Sequence, residues 1–119
     1  MKKAMNTILA AAVIFTVFAF HAPCASASTV LTFRVNGNTT NQHTRWFAGG
    51  QAAMIIVSGD GDTDLDLYVY DSNGNLIEMD EDGSDQCVVS WTPRWTGRFT
   101  IKVVNRGSIY NRYTIGFSN

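Results

Sequence analysis

The run LDLYVYDSNGNLIEM, Leu65 to Met79, decides the fold. Leu65, Leu67 and Val69 fall on one side of a period-two pattern, with Asp64, Asp66, Tyr68 and Tyr70 on the other, as in a half-buried strand. Asn73-Gly74 interrupts the alternation and tolerates the positive φ angles of a type I′ turn. The segment therefore predicts a tight hairpin onto Leu76 to Met79.

The chain on either side repeats this grammar. TVLTFRV, Thr29 to Val35, is followed by a polar connector, NGNTTNQHT, then by Trp46-Phe47 and, after Gly49-Gly50, by AAMIIVS from Ala52 to Ser58. CVVSW, Cys87 to Trp91, ends at the turn TPRWTG. FTIKVVN, Phe99 to Asn105, points Phe99, Ile101 and Val103 inward and Lys102 outward, and RYTIGF directs Tyr113, Ile115 and Phe117 to the core. Helical periodicity is hard to find after Ser28. Short strands separated by Gly, Asn, Asp and Pro predict an all-β chain, an antiparallel jelly-roll-like β-sandwich of about seven to eight strands.

Residues 1–27 are set apart from this fold. Lys2 and Lys3 precede a 13-residue apolar run, Ile8 to Phe20, and Ala25-Ser26-Ala27 offers small residues for cleavage, the pattern of a secretory signal peptide. Cleavage after Ala27 removes 27 of 119 residues and leaves one domain of 92, Ser28 to Asn119, expected to be secreted or periplasmic and monomeric, with no stable membrane insertion. Lipid attachment at Cys24 is disfavoured by Pro23, which stands where a small Gly or Ala is wanted. Loss of Lys2 and Lys3 leaves seven basic residues against ten acidic ones, a net of −3, which argues against a nucleic-acid partner drawn by bulk charge. Of the two cysteines only Cys87 remains, in the apolar run CVV, where a buried small hydrophobe is expected. With His43 as the one remaining histidine, chemistry built on several histidines is excluded.

The order of these features resembles the bacterial pre-peptidase C-terminal domain, a jelly-roll-like sandwich found after the catalytic domains of many secreted peptidases. Asp66-Leu67-Tyr68, Asp71 with Gly74, Gly97 with Phe99, and Tyr113 match its motifs, and the similarity spans most of Phe33 to Phe117. The resemblance implies an accessory or binding role without chemistry of its own, here as a stand-alone domain with no peptidase attached. Some relatives bind calcium, partly through segments before the first strand. The connector NGNTTNQHT offers no comparable acidic cluster, so calcium must be argued from this chain's own aspartates.

All ten acidic residues after the leader lie between Asp60 and Asp85. Calcium takes six to eight oxygen ligands, and clustered carboxylates with loop carbonyls supply them. Asp60, Asp62, Asp64, Asp80 and Asp82 are the candidates, since pairing the hairpin strands brings the Asp60 and Asp80 loops to one end. An EF-hand does not fit, because Leu65 stands where its glycine belongs counting from Asp60, and Leu76 counting from Asp71. The competing expectation is that the alternating aspartates coat a solvent-facing strand and protect its edge.

The second candidate set is aromatic. Exposed rings stack on sugars or anchor a protein partner, an extracellular protein or polysaccharide here. Trp95, beside Arg94 in TPRWTG, is the foremost surface candidate, with Tyr68 and Tyr70. Trp91 follows the core alternation and Trp46 is expected to cap one end of the sandwich. Glycoside chemistry needs two carboxylates flanking a cleft, and a domain of this size without long loops has little room for one, so no catalytic residue is assigned.

Overall fold

The computed structural model describes residues 29–119; the expected signal peptide, its cleavage site and Cys24 lie outside the described residues. Eight strands follow in order: β1 (Thr29–Val35), β2 (Thr40–Phe47), β3 (Ala53–Ser58), β4 (Leu65–Tyr70), β5 (Leu76–Asp80), β6 (Gln86–Trp91), β7 (Gly97–Asn105) and β8 (Asn111–Ser118). They form two four-stranded sheets, β1-β8-β3-β6 and β2-β7-β4-β5, antiparallel throughout. Only the β4–β5 hairpin stays within one sheet, and every other connection crosses to the opposite one. This is the winding of a jelly roll.

Period-two alternation accounts for the core. Ile55 and Val57 from β3, Leu65, Leu67 and Val69 from β4, Ile101 and Val103 from β7, and Ile115 from β8 are wholly buried between the sheets. Phe47, Trp91 and Phe99 close one end, with Trp91 packed edge-on against Phe47 at 4.9 Å between ring centroids. Cys87 is buried and free, and burial pushes its thiol up to about 12, so it stays a neutral packing group at physiological pH.

Three local expectations are corrected. The connector NGNTTNQHT is mostly strand: the chain turns at Asn36–Thr39, with Asn38 at φ 56°, and β2 begins at Thr40. Hydrophobic alternation could not reveal β2, because its half-buried positions Asn41, His43 and Arg45 are polar. They are accommodated by aromatic partners: Asn41 Nδ2 donates to the Tyr113 hydroxyl at 3.0 Å, His43 Nε2 lies 2.9 Å from it, and the Arg45 guanidinium covers the Phe117 ring. Burial holds His43 below its ordinary pKa.

The β4–β5 turn is a three-residue loop in place of a type I′ pair. Among Ser72, Asn73 and Gly74 only Gly74 has positive φ, at 85°, and its N–H donates to Asp71 O at 3.0 Å. The Asp71 carboxylate accepts from Asn73 N and Asn75 N, both at 2.9 Å, which stabilises this loop over the shorter one. The extra residue appears as an irregularity in the β4–β5 ladder after Val69.

Finally, β4 is an interior strand, so its aspartates guard no edge. Asp66 is only 5% exposed and pairs with Arg106 Nε at 2.7 Å, while Arg106 Nη2 donates to the Tyr68 hydroxyl at 2.9 Å. Asp66 and Tyr68 share a face by strand alternation, which lets one guanidinium hold both.

The core face is polar at one end. Asn105 and Asn111 continue the inward rows of β7 and β8 and are almost completely buried. Asn105 Nδ2 lies within hydrogen-bond distance of the carbonyls of Val35, Asn36 and Ile109, and its Oδ1 accepts from Gly107 N, so one side chain joins β1, β7 and the loop before β8. Asn105→Ala is expected to cost about 2–4 kcal/mol of unfolding free energy in a urea titration, because buried carbonyls lose their donor. A loss under about 0.5 kcal/mol would show that water replaces the amide.

Candidate functional site

The connections alternate between the two ends of the sandwich, and the candidate residues divide accordingly. One end gathers the β1–β2, β3–β4, β5–β6 and β7–β8 loops and is acidic. The other gathers the β2–β3, β4–β5 and β6–β7 loops and is aromatic and basic.

At the acidic end the Asp60 and Asp80 loops do meet, as the hairpin pairing predicts. Gly59 N donates to Asp85 O at 2.9 Å and Leu65 N to Ser84 O at 3.1 Å. Three of the five candidate carboxylates are nevertheless occupied separately. Asp60 Oδ2 accepts from Arg112 N at 2.9 Å and Asp60 Oδ1 from Asp62 N; Asp80 Oδ2 takes Val88 N at 2.8 Å; Asp82 Oδ1 takes Ser84 N and the Ser84 hydroxyl. Those Ser84 bonds hold Asp82 below the usual carboxylate range. Asp62 is exposed. Among the described residues no group of three or more His, Cys, Asp or Glu is placed to hold a metal ion.

Asp64 differs from the rest. Its Oδ1 is buried without a hydrogen-bond partner, and desolvation, followed by the charges of Asp66 and Asp82, raises its pKa.

Asp85, outside the candidate set, is what ties these loops together. Its Oδ2 accepts from Gly61 N at 2.5 Å and Asn111 Nδ2 at 3.1 Å, and its Oδ1 from Gln86 Nε2. Asn111 also reaches Thr63 and accepts from Asp60 N, completing a clasp over β3, β4, β6 and β8. The sequence did hold a signal for its amide, Asn111, and for Asn105: counting by twos from Phe99 and back from Phe117 places both on the core face.

At the aromatic end Trp95 and Trp46 are each 63% exposed. Trp95 sits on a backbone clamped by the glycine pair: Gly50 N donates to Pro93 O and Gly49 N to Thr96 Oγ1, while a Cβ at Gly49 would come within 2.4 Å of Trp95 Cα. Only glycine lets the two turns approach this closely. Trp95 lines two adjoining open clefts. One, of about 380 Å³, is walled by Trp91, Arg94, Ile77 and Asp71; the other, of about 590 Å³, by Trp46, Arg98, Thr44, Thr100 and Ser72.

Arg94 and Trp95 are therefore neighbours in one cleft, as expected. Trp46, expected to cap the sandwich, instead opens onto the second cleft beside Arg98, to which it is paired across β2 and β7. Tyr70 shares a rung with Thr100 and lies under Lys102, its ring centroid 5.1 Å from Nζ, so it extends the same outer face. Tyr68 faces the acidic end, donating to Glu81 and accepting from Arg106, and does not join the clefts. No family model matches the chain, and no curated protein matches it.

The clasp makes a pH prediction. Burial pushes the Asp85 carboxyl up, but hydrogen bonds from Asn111, Gly61 and Gln86 outweigh it and leave the pKa below the ordinary value. A lowered folded pKa contributes stability that is complete above about pH 4, the unfolded value, and lost as pH falls through the folded value. Thermal melts across this range should show Asp85→Asn flattening the acid limb of the stability profile, with wild type and variant converging at the lowest pH. An unchanged acid limb would remove Asp85 from that role.

Proposed function

We propose that this chain is an exported, non-catalytic binding or accessory module that engages a polysaccharide through the end carrying Trp46 and Trp95. The observation that carries this reading is the pair of indoles, equally exposed and opening onto adjoining clefts. A soluble domain gains nothing in stability from such exposure, whereas a flat ring beside hydroxyls of Thr44, Ser72 and Thr100 suits a sugar ring with its apolar face and polar rim. The one carboxylate lining either cleft, Asp71, is held by Asn73 and Asn75 in the turn, which favours binding over acid–base chemistry. The leader pattern of residues 1–27 supports export. The resemblance to pre-peptidase C-terminal domains is kept as part of the proposal, supported by the jelly-roll winding and by the turn that Asp71 and Gly74 build.

Trp95→Ala and Trp46→Ala are each expected to weaken retention about tenfold or more on whichever of cellulose, chitin, xylan or polygalacturonate holds the wild type, with melting temperature nearly unchanged. Retention unaffected by either substitution would remove the indole platform.

The orphaned Asp64 oxygen favours a second element of this proposal, a structural calcium ion at the acidic end. As arranged, the aspartates do not form one shell, so any such ion would require Asp60, Asp80 or Asp82 to give up its internal donors. Millimolar calcium should then raise the wild-type melting temperature but not that of Asp64→Asn. Without calcium, Asp64→Asn should be the more stable at neutral pH, since it removes a carboxylate with one desolvated, unpartnered oxygen beside the charges of Asp66 and Asp82. A raised folded pKa makes that penalty greatest above the folded value and relieves it as pH falls through it. An identical calcium response in both proteins would eliminate Asp64 as a ligand.

A further inference from the structure

We infer that the polysaccharide taken by the Trp46–Trp95 surface is acidic, a uronate-bearing chain whose carboxylates seat on Arg94 and Arg98 while its ring faces stack on the two indoles. This rests on the platform reading and names its ligand class. The domain is negative overall, so bulk charge does not explain the choice; local placement does.

Arg94 lies in one cleft and Arg98 in the other, with Trp95 shared between them. Among the described residues the ion pair is Arg106 with Asp66, on another part of the surface, and neither Arg94 nor Arg98 makes a side-chain hydrogen bond. Each cation thus stands beside an exposed indole with its donors free. The Arg98 guanidinium carbon is 5.9 Å from the Trp46 ring centroid, the outer limit of a cation–π contact, so the ring does little to satisfy it. Asp71 stays ionised at the wall of the Arg94 cleft, where Asn73 and Asn75 hold its oxygens in the turn, and it makes no ion pair with either arginine among the described residues.

A planar guanidinium presents paired N–H donors that match a carboxylate, and an indole face matches the C–H face of a pyranose. A uronate residue offers both groups at once, a carboxylate for a guanidinium and a ring face for an indole. A neutral glycan would use the rings and leave both guanidiniums idle. Lys102, over Tyr70 on the same outer face, carries the positive field further along the sheet.

The test measures binding of the protein to polygalacturonate, alginate and hyaluronan by affinity electrophoresis, each polymer beside its carboxyl-reduced, neutral form. At least one acidic polymer should retain the protein about tenfold more strongly than its reduced form. Arg94→Gln and Arg98→Gln should each erase about fivefold or more of that preference, leave the weak retention on the reduced form unchanged, and lessen the salt dependence. Both side chains are exposed, so melting temperature should not move and misfolding is separable from lost binding. Equal retention on acidic and reduced forms, lost in Trp95→Ala but not in the arginine variants, overturns the uronate inference and leaves the platform standing. Retention lost in the arginine variants but untouched by Trp46→Ala and Trp95→Ala overturns the platform itself. Retention on none of the three acidic polymers overturns the inference.

Discussion

Everything at the acidic end depends on buried amide and carboxylate groups satisfying the backbone where the jelly roll closes. Asn105 bridges β1, β7 and the last loop, and Asn111 with Asp85 bridges β3, β4, β6 and β8. At such a closure the ladders end and peptide groups turn inward, where an unmet donor or acceptor costs more than an ordinary hydrogen bond contributes. Among the described residues two asparagines and an aspartate meet that demand without a disulfide, Cys87 being a buried packing residue. The clasp ties the loop that crosses between the sheets, β3 to β4, onto β6 and β8, and the apolar layer from Val57 to Ile115 lies beneath it.

The opposite end is built by another device. There the aromatic layer of Phe47, Trp91 and Phe99 closes the core, and the glycine pair after β2 lets the TPRWTG turn sit directly on it. Backbone contact at Gly49 holds the base of Trp95 while its indole stays in solvent, a rigid mount for an exposed ring. Rigidity of this kind lowers the entropy lost on binding, which suits a recognition surface. The two ends therefore divide the labour: buried polar groups stabilise one, and exposed aromatic and basic groups are presented at the other.

Much of the fold was legible because strand faces are written locally. The rows Leu65-Leu67-Val69, Phe99-Ile101-Val103 and Tyr113-Ile115-Phe117 point inward as their alternation implies. β2 escaped because its inward row is polar and finds its partners in the rings of Tyr113 and Phe117, some 70 residues away in sequence. The type I′ expectation for Asn73-Gly74 failed for a nearby reason: Asp71 captures two N–H groups of the turn and favours a longer loop with only Gly74 in the left-handed region. Of the candidate site, Trp95 with Arg94 was readable from an exposed turn composition, whereas Trp46 was not, since an aromatic at a strand end packs or protrudes according to what lies across the sheet.

The amino-acid sequence alone determined the strands, their inner faces, the buried thiol and the segregation of acidic residues into the middle of the chain, because each is carried by periodicity or composition within a few neighbouring positions. Tertiary structure decided which loops share an end, that Asp66 is drawn out of solvent by Arg106, that Asp85 and not Asp60 joins the acidic loops, and that Trp46 and Trp95 open onto adjoining clefts. Those outcomes follow from strand order and register, which are set by closing contacts across the whole chain, and no local window of sequence contains both partners of such a contact.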